Sequence, residues 1–81
     1  MEVAFSPHFN RSFQKIPKIV QNKFGKQVTY LLDDLAHPSL RAKKYDETSG
    51  VWQARVDRSY RFYFIIRGNR YILLDIRKHR K

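Results

Sequence analysis

Five residues in the second half of the sequence could together handle a phosphate group. They are Arg55, Arg61, Tyr63, Arg77 and His79. Guanidinium groups grip phosphate through paired hydrogen bonds, tyrosine stacks on bases, and histidine exchanges a proton near neutral pH. These groups suit metal-independent RNA cleavage, in which the 2′-hydroxyl attacks the phosphate, an arginine stabilises the added negative charge and an acid protonates the leaving 5′-oxygen.

Arg61 is the most informative of the five because it interrupts the apolar run "YRFYFII". A charged side chain in such a strand must escape the core, so we expect Arg61 to point away from it. The plainer interpretation is a structural ion pair with Asp57 or Asp75. In the same way, His79 could be a solvated residue near the chain end, and Tyr63 could serve packing.

The charge balance favours a polyanionic partner. The 81 residues include 17 Lys or Arg and 7 Asp or Glu, which gives a formal net charge of +10. RNA, DNA and an acidic protein all fit such a field, and the concentration of basic residues near the end of the sequence favours a nucleic acid. Lys43 and Lys44, most simply a solvated strand edge, are further candidates for contact with an RNA backbone.

The composition also excludes several classes of protein. The absence of cysteine excludes disulfides and thiolate metal sites. Asp33 and Asp34 are adjacent acids on diverging helix faces, so we expect no metal site and no cofactor. A hydrophobic fraction of 42% indicates one folded domain over residues 1–81. Without a signal-peptide pattern or a membrane-spanning apolar run, we expect a soluble cytoplasmic protein.

Local signals at the start of the chain predict a strand and a first helix. The segment "EVAF" at residues 2–5 is a short strand candidate. Ser6 can cap a helix, and Pro7 suits its first turn. Apolar side chains then recur at helical spacing, namely those of Phe9, Phe13 and Ile16.

A second helix is predicted after the break at Pro17, running to about His37, before Pro38. Its apolar stripe consists of Val20, Phe24, Val28, Leu31 and Leu35. Because a single proline separates the two helices, the pattern predicts a helical hairpin.

From Lys43 the apolar period changes from helical to two, which predicts strands. The segments are "VWQARVD", "YRFYFIIR" and "YILLDIR". The purely apolar sets should face the helices; they are Trp52, Ala54, Val56, Phe62, Phe64, Ile66, Ile72, Leu74 and Ile76. The alternate set contains the three arginines and faces away. The predicted fold class is α+β: an N-terminal strand, a two-helix hairpin and an antiparallel β-meander (β-α-α-β-β-β), with the helices on one face of the sheet.

Whether the three arginines share the open face depends on the last turn. A two-residue turn at 68–69 would put Arg77 on the other face, whereas a three-residue loop at 68–70 keeps it opposite Arg61. We predict the longer loop because it puts the purely apolar set of the last strand in the core.

The element order, the tryptophan in "GVWQARV", the "YRFYF" strand and the terminal "DIRKHR" resemble the RelE/ParE superfamily of toxins from type II toxin–antitoxin systems. The resemblance implies a messenger RNA endonuclease of the RelE, YoeB and HigB type, which cuts in the A site of the small ribosomal subunit. It also implies an acidic antitoxin as partner. By the same resemblance, Arg61 stabilises the scissile phosphate, His79 acts as acid or base, and Arg55 holds phosphate.

Two departures from the YoeB-like pattern keep other functions open. Ala42 lies near the place where YoeB-like enzymes have a glutamate, and the sequence ends at Arg80 and Lys81 without the aromatic residue of many relatives. One alternative is a DNA gyrase inhibitor resembling ParE, which would need no histidine. Another is a module that binds RNA or antitoxin in a salt-dependent way without cleaving.

Overall fold

The computed structural model describes residues 1–79. Arg80 and Lys81, named above as the residues that follow His79, lie outside the described residues. The elements are β1 (Glu2–Phe5), α1 (Pro7–Lys15), α2 (Lys18–Asp33), β2 (Lys43–Asp46), β3 (Val51–Arg55), β4 (Tyr60–Arg67) and β5 (Arg70–Lys78). The predicted α+β class is confirmed. The meander has four strands rather than the predicted three, because the short strand β2 joins it.

The five strands form one mixed sheet in the order β1-β5-β4-β3-β2. The last four strands are antiparallel neighbours in sequence order, as a meander requires. β1 instead lies parallel to β5, with Glu2 opposite Arg70 and Phe5 opposite Leu73. β4 is therefore the central strand, covered on both sides by neighbours.

The start of α1 is fixed by Ser6, as the sequence predicts. Its hydroxyl oxygen accepts a hydrogen bond from the backbone N–H of Phe9 (3.0 Å) and donates one to the backbone oxygen of Leu74 (3.3 Å). The first bond satisfies an N–H that the helix itself leaves free. The second ties the helix to β5.

The predicted end of α2 at about His37 is wrong, since the helix stops at Asp33. The Asp34 carboxylate accepts from the backbone N–H of Ala36 (2.9 Å), a local turn that competes with the next helical turn. Two acids at a helix C-terminus also oppose its dipole. Within residues 1–79, no helix is long and apolar enough to cross a membrane.

The helices pack on one face of the sheet around a cluster of phenylalanines. Phe24 of α2 lies 5.3 Å from both Phe9 of α1 and Phe62 of β4, measured between ring centres. The pair with Phe62 is edge-to-face and the pair with Phe9 is tilted, and such aromatic contacts add to the stability gained from burying apolar area. The buried members of the core are Phe9, Val20, Phe24, Leu31, Leu40, Ala54, Val56, Phe62, Phe64, Tyr71, Leu73 and Ile76.

The turn between β4 and β5 has two residues rather than the predicted three. Ile66 pairs with Tyr71 and Arg67 with Arg70, so the turn consists of Gly68 and Asn69. Gly68 has φ of +59°, which suits the first position of a type II′ turn. This turn alone would have put Arg77 on the helix side of the sheet.

A bulge in β5 reverses that outcome. Phe64 pairs with Leu73 while Tyr63 pairs with Asp75, so Leu74 is an extra residue without a partner on β4. Before the bulge, the buried residues of β5 are Tyr71 and Leu73 rather than the predicted Ile72 and Leu74. After it, Ile76 is buried as predicted. Arg77 therefore returns to the face that points away from the helices.

Candidate functional site

Three arginines form a row across the open face of the sheet, which we call the arginine row. Arg55 of β3 lies opposite Arg61 of β4, and Arg61 lies opposite Arg77 of β5. Neighbouring strands are about 4.8 Å apart, and like charges placed directly opposite each other are destabilising. The fold thus holds three positive charges together at a cost that a bound anion would relieve.

Arg61 is held in place by the backbone rather than by an acid. Its Nη1 donates to the backbone oxygens of Asp57 (2.7 Å) and Tyr60 (3.0 Å), and only 8% of the residue is exposed. The expected alternative, an ion pair with Asp57 or Asp75, is absent among the described residues. The carboxylate of Asp57 instead contacts Lys23, and that of Asp75 contacts Arg77 and His8. A fixed guanidinium without a carboxylate partner is preorganised for an external anion.

Arg55 is surrounded by other positive charges. Burial lowers the pKa of its guanidinium, and so do three nearby positive charges, those of Arg41, Arg61 and Arg58. Its Nε is buried and has no hydrogen-bond partner among the described residues. A buried donor without a partner is costly, and a phosphate oxygen would satisfy it.

The backbone of Arg55 is anchored by a buried glutamine. Nε2 of Gln27 donates to the backbone oxygens of Arg55 (2.7 Å) and Ser39 (3.1 Å). The backbone N–H of Arg55 donates to the oxygen of Leu40 (2.7 Å). Helix α2, the loop after it and β3 are therefore joined directly beneath the arginine.

A cavity of about 420 Å³ opens above Arg55 and Arg61, and we call it the arginine cavity. Its other lining residues are Arg41, Lys43, Gln53 and His79. The backbone N–H of His79 donates to the oxygen of Ser59 (2.6 Å), which extends the pairing of β4 and β5 and brings the exposed imidazole to the rim. No carboxylate lines this cavity among the residues described, so its field is positive throughout.

Tyr63 lies in a neighbouring cavity of about 320 Å³, where it is 6% exposed. The Arg77 guanidinium covers its ring at 4.4 Å, and Tyr45 meets it edge-on at 5.0 Å. A base could stack on Tyr63 only by displacing one of them. Tyr45, 56% exposed and at a bulge in β2, is the more accessible ring.

The two lysines of the predicted site are separated by the pleat of β2. Lys43 pairs with Gln53 and lines the arginine cavity. Lys44 pairs with Trp52 and lies over its ring at 5.3 Å. The structure therefore brings Lys43 to Arg55 and Arg61 and leaves Lys44 on the opposite side of the sheet.

Sequence reasoning missed Gln27, Arg41 and Tyr45. Gln27 offered a signal, because it falls between Phe24 and Leu31 on the apolar stripe of α2, where a polar residue needs a buried partner. Arg41 offered none, since nothing local shows that the chain folds back there. Residues 1–79 contain no group of three His, Asp or Glu side chains that could hold a metal ion.

Comparison with known proteins identifies one family and several solved structures of the same fold. Residues 3–81 match the family model described as the ParE toxin of type II toxin–antitoxin systems, parDE. The YoeB/ParE toxin from Agrobacterium tumefaciens superposes with a TM-score of 0.79 at 14% identity, covering 99% of this chain and 100% of that one. A search of curated proteins finds no match.

Two further solved structures share the fold. The YoeB dimer from Staphylococcus aureus has a TM-score of 0.79 at 15% identity, covering 99% of this chain and 98% of that one. The archaeal RelE–RelB complex from Pyrococcus horikoshii gives 0.76 at 16% identity, with coverages of 95% and 92%. At such identities, these likenesses show the fold alone.

Proposed function

The chain belongs to the ParE toxin family of type II toxin–antitoxin systems, and we propose that this toxin acts by cutting messenger RNA in the A site of the ribosome. One observation carries the proposal: Arg55 and Arg61 lie side by side, next to His79, in a cavity that no carboxylate of residues 1–79 lines. Such a site attracts the phosphate of an RNA strand and places a group that can exchange protons next to it.

In the proposed reaction the RNA supplies its own nucleophile. The 2′-oxygen attacks the adjacent phosphorus, the bond from phosphorus to the 5′-oxygen breaks, and a cyclic phosphate and a 5′-hydroxyl result. Arg61, whose position is fixed by two carbonyl groups, stabilises the charge that builds up on the phosphate oxygens. Arg55 binds the same phosphate from the next strand.

His79 is the proposed acid that protonates the leaving 5′-oxygen. The 2′-hydroxyl proton passes to solvent, since no carboxylate lines the described cavity to receive it. Such a sparse site depends on the ribosome to bend the message into line, so we expect little cleavage of free RNA. Lys43, which lines the cavity, contributes a further phosphate contact. Arg77, in the neighbouring cavity, contributes a weaker one because Asp75 already pairs with it.

The proposed partner in the resting state is an acidic antitoxin. Complexes of RelE with RelB and of YoeB with YefM have been solved for proteins of this fold. A net charge of +10 and an unneutralised arginine cavity favour an acidic chain that covers the open face of the sheet.

A second candidate function is inhibition of DNA gyrase, which the ParE name of the matching family favours. This activity requires no histidine. A His79→Ala variant that stays fully toxic and blocks DNA supercoiling would support it over nuclease action.

Primer extension on a defined message in a translating extract tests the nuclease proposal. Wild type should cut inside codons at the A site, and Arg61→Ala should not. Arg67→Ala removes an equal charge at the far end of β4 and should cut like wild type. An uncut message with wild type refutes the proposal, and a supercoiling assay on the same preparations then separates gyrase inhibition from a module that only binds.

A further inference from the structure

A second basic groove adjoins the arginine cavity, and we call it the side groove. It has a volume of about 480 Å³ and lies between the loop after α2 and the turn from β3 to β4. Pro38 and Ser39 line one wall, and Asp57 and Arg58 line the other. Arg41 and Arg55 line both the side groove and the arginine cavity, so the two are continuous.

The side groove carries a net positive charge, since three arginines and one acid line it. Arg41, Arg55 and Arg58 make no ion pair with a carboxylate of residues 1–79. Its one acid, Asp57, is engaged elsewhere: its carboxylate contacts Lys23 at 3.4 Å and accepts the backbone N–H groups of Ser59 and Tyr60 at 2.8 Å each.

The loop wall of the side groove is tied to strand β3. Gln27 donates to the backbone oxygens of Ser39 and Arg55, which fixes the loop wall against β3. Arg41 has φ of +46°, a left-handed conformation that costs a residue with a side chain about 1–2 kcal/mol. Strain of this kind persists where the surrounding structure enforces it, often at a functional site.

We propose that the side groove is a second phosphate-binding subsite for single-stranded RNA, in which Arg41 and Arg58 hold the phosphate next to the one bound in the arginine cavity. The inference rests on the proposed RNA cleavage. A strand that crosses Arg55 places consecutive phosphates in the two sites. Arginine forks match phosphate oxygens, and three arginines line this groove whereas only Pro38 and Val56 of its lining residues are apolar, so its chemistry favours a phosphate over an apolar protein anchor.

Uncleavable RNA of two lengths tests the subsite. A 2′-O-methyl dinucleotide carries one phosphate and can fill the arginine cavity alone, whereas a tetranucleotide carries three and reaches the side groove. We expect wild type to bind the tetranucleotide about tenfold more tightly, the effect of one further charge-assisted contact. Arg58→Ala should remove most of that gain and leave dinucleotide affinity within about twofold.

The salt dependence of binding supplies a second measurement. For the tetranucleotide, Arg58→Ala should reduce the slope of log affinity against log salt concentration by about 0.7, the value for one phosphate contact on a single strand. Arg58→Lys should keep the slope because it keeps the charge. Arg67→Ala is the matched control, since it removes one exposed arginine that lies about 20 Å from Arg61 along β4.

Any one of the following outcomes would overturn the subsite. Wild type could bind both lengths alike or bind neither, Arg58→Ala could weaken both equally, or Arg67→Ala could match Arg58→Ala. If Arg58→Ala spares RNA but weakens an acidic antitoxin, the groove is a protein interface and the proposal is wrong. Because these RNAs cannot be cut, the dependence of affinity on RNA length is measured independently of cleavage. If wild type cleaves messenger RNA but shows no such length dependence, the subsite is refuted and the proposed nuclease function stands.

Discussion

The two ends of the arginine row differ in how their charge is balanced. At one end, Arg77 contacts the Asp75 carboxylate at 3.2 Å and covers the ring of Tyr63. At the other end, Arg55 and Arg61 contact no carboxylate among the described residues, and the nearby Asp57 carboxylate accepts from backbone N–H groups instead.

Arg77 is therefore already paired within the folded protein, whereas Arg55 and Arg61 are available to bind an external anion. Asp75 and the tyrosine ring together satisfy Arg77, so an RNA phosphate would have to compete with them. Arg55 and Arg61 carry a repulsion that the folded chain does not relieve. We therefore infer that the uncompensated end performs the chemistry, while the compensated end orders the sheet face.

The largest expected effect comes from substituting an uncompensated arginine, Arg61, and comparing it with the compensated one, Arg77. Arg61→Ala should slow cleavage about 10²–10³-fold, the effect of removing one preorganised donor to a developing charge. Arg77→Ala should slow it less than about tenfold, as expected for an exposed, paired charge. The rates are measured by single-round primer extension in a translating extract. Equal losses would show that charge compensation does not distinguish the two ends.

Gln27→Leu tests whether the function of Arg55 depends on the buried hydrogen bonds that Gln27 makes beneath it. The change leaves the backbone oxygens of Ser39 and Arg55 without their donor, so urea unfolding should show a loss of about 1–3 kcal/mol, and cleavage by the folded protein should fall as well. Gln21→Leu is the control, because Gln21 donates to Phe13 in the helical hairpin. It should lose stability and retain cleavage. Loss of cleavage in both variants would indicate general loosening.

Arg41→Gly should change protein stability and RNA affinity in opposite directions. Glycine tolerates the φ of +46° that strains arginine, so urea unfolding should show a gain of about 0.5–1 kcal/mol. Affinity for single-stranded RNA should fall because the charge is lost. Arg41→Ala should show the same loss of RNA affinity without the gain in stability. A glycine variant that is less stable than wild type would mean that the strain is not present.

The smallest expected effect is a pH dependence from Asp57. Burial alone would raise its pKa, but hydrogen bonds from Ser59 and Tyr60 and the Lys23 charge lower it below the ordinary value. The folded state then binds the proton less tightly than the unfolded state. The stabilisation is present above pH about 4 and is lost as the pH falls through the folded pKa.

Melting temperatures between pH 6 and pH 2.5 check this expectation. Asp57→Asn keeps an oxygen that can accept both N–H groups but cannot ionise, so its melting temperature should fall less in acid than that of wild type. Asp33→Asn, which removes an exposed carboxylate at the end of α2, should behave like wild type. Parallel curves for all three proteins would exclude a contribution from Asp57.

The fold was largely predictable because its signals are local. Ser6 and Pro7 start α1 through bonds within one turn, and Pro17 separates the helices through its own ring. Strand alternation correctly indicated that Arg61 faces away from the helices. The prediction of the last turn failed because the local signal was set aside in favour of the apolar pattern of β5. Gly68 and Asn69 form the two-residue turn that their own chemistry favours, whereas the apolar pattern pointed to a three-residue loop.

The site was less predictable because it joins distant parts of the chain. Gln27 acts through residues 12 and 28 positions away, and Arg41 reaches the arginines only because the loop after α2 folds back onto β3. A polar residue on an apolar helix stripe signals that a buried partner exists. It does not say which carbonyl that partner is.

The sequence by itself determined the order of six of the seven elements, the helix boundaries at Ser6 and Pro17, and the side of β4 on which Arg61 lies, because each follows from steric and periodic rules within a few residues. Only the tertiary structure decided that Arg77 joins Arg61. That outcome depends on the β-bulge at Leu74. This extra residue in β5 returns Arg77 to the open face, from which the two-residue turn alone would have removed it. Register and charge pairing are set by contacts between strands and helices far apart in the chain, and such contacts leave no local pattern to read.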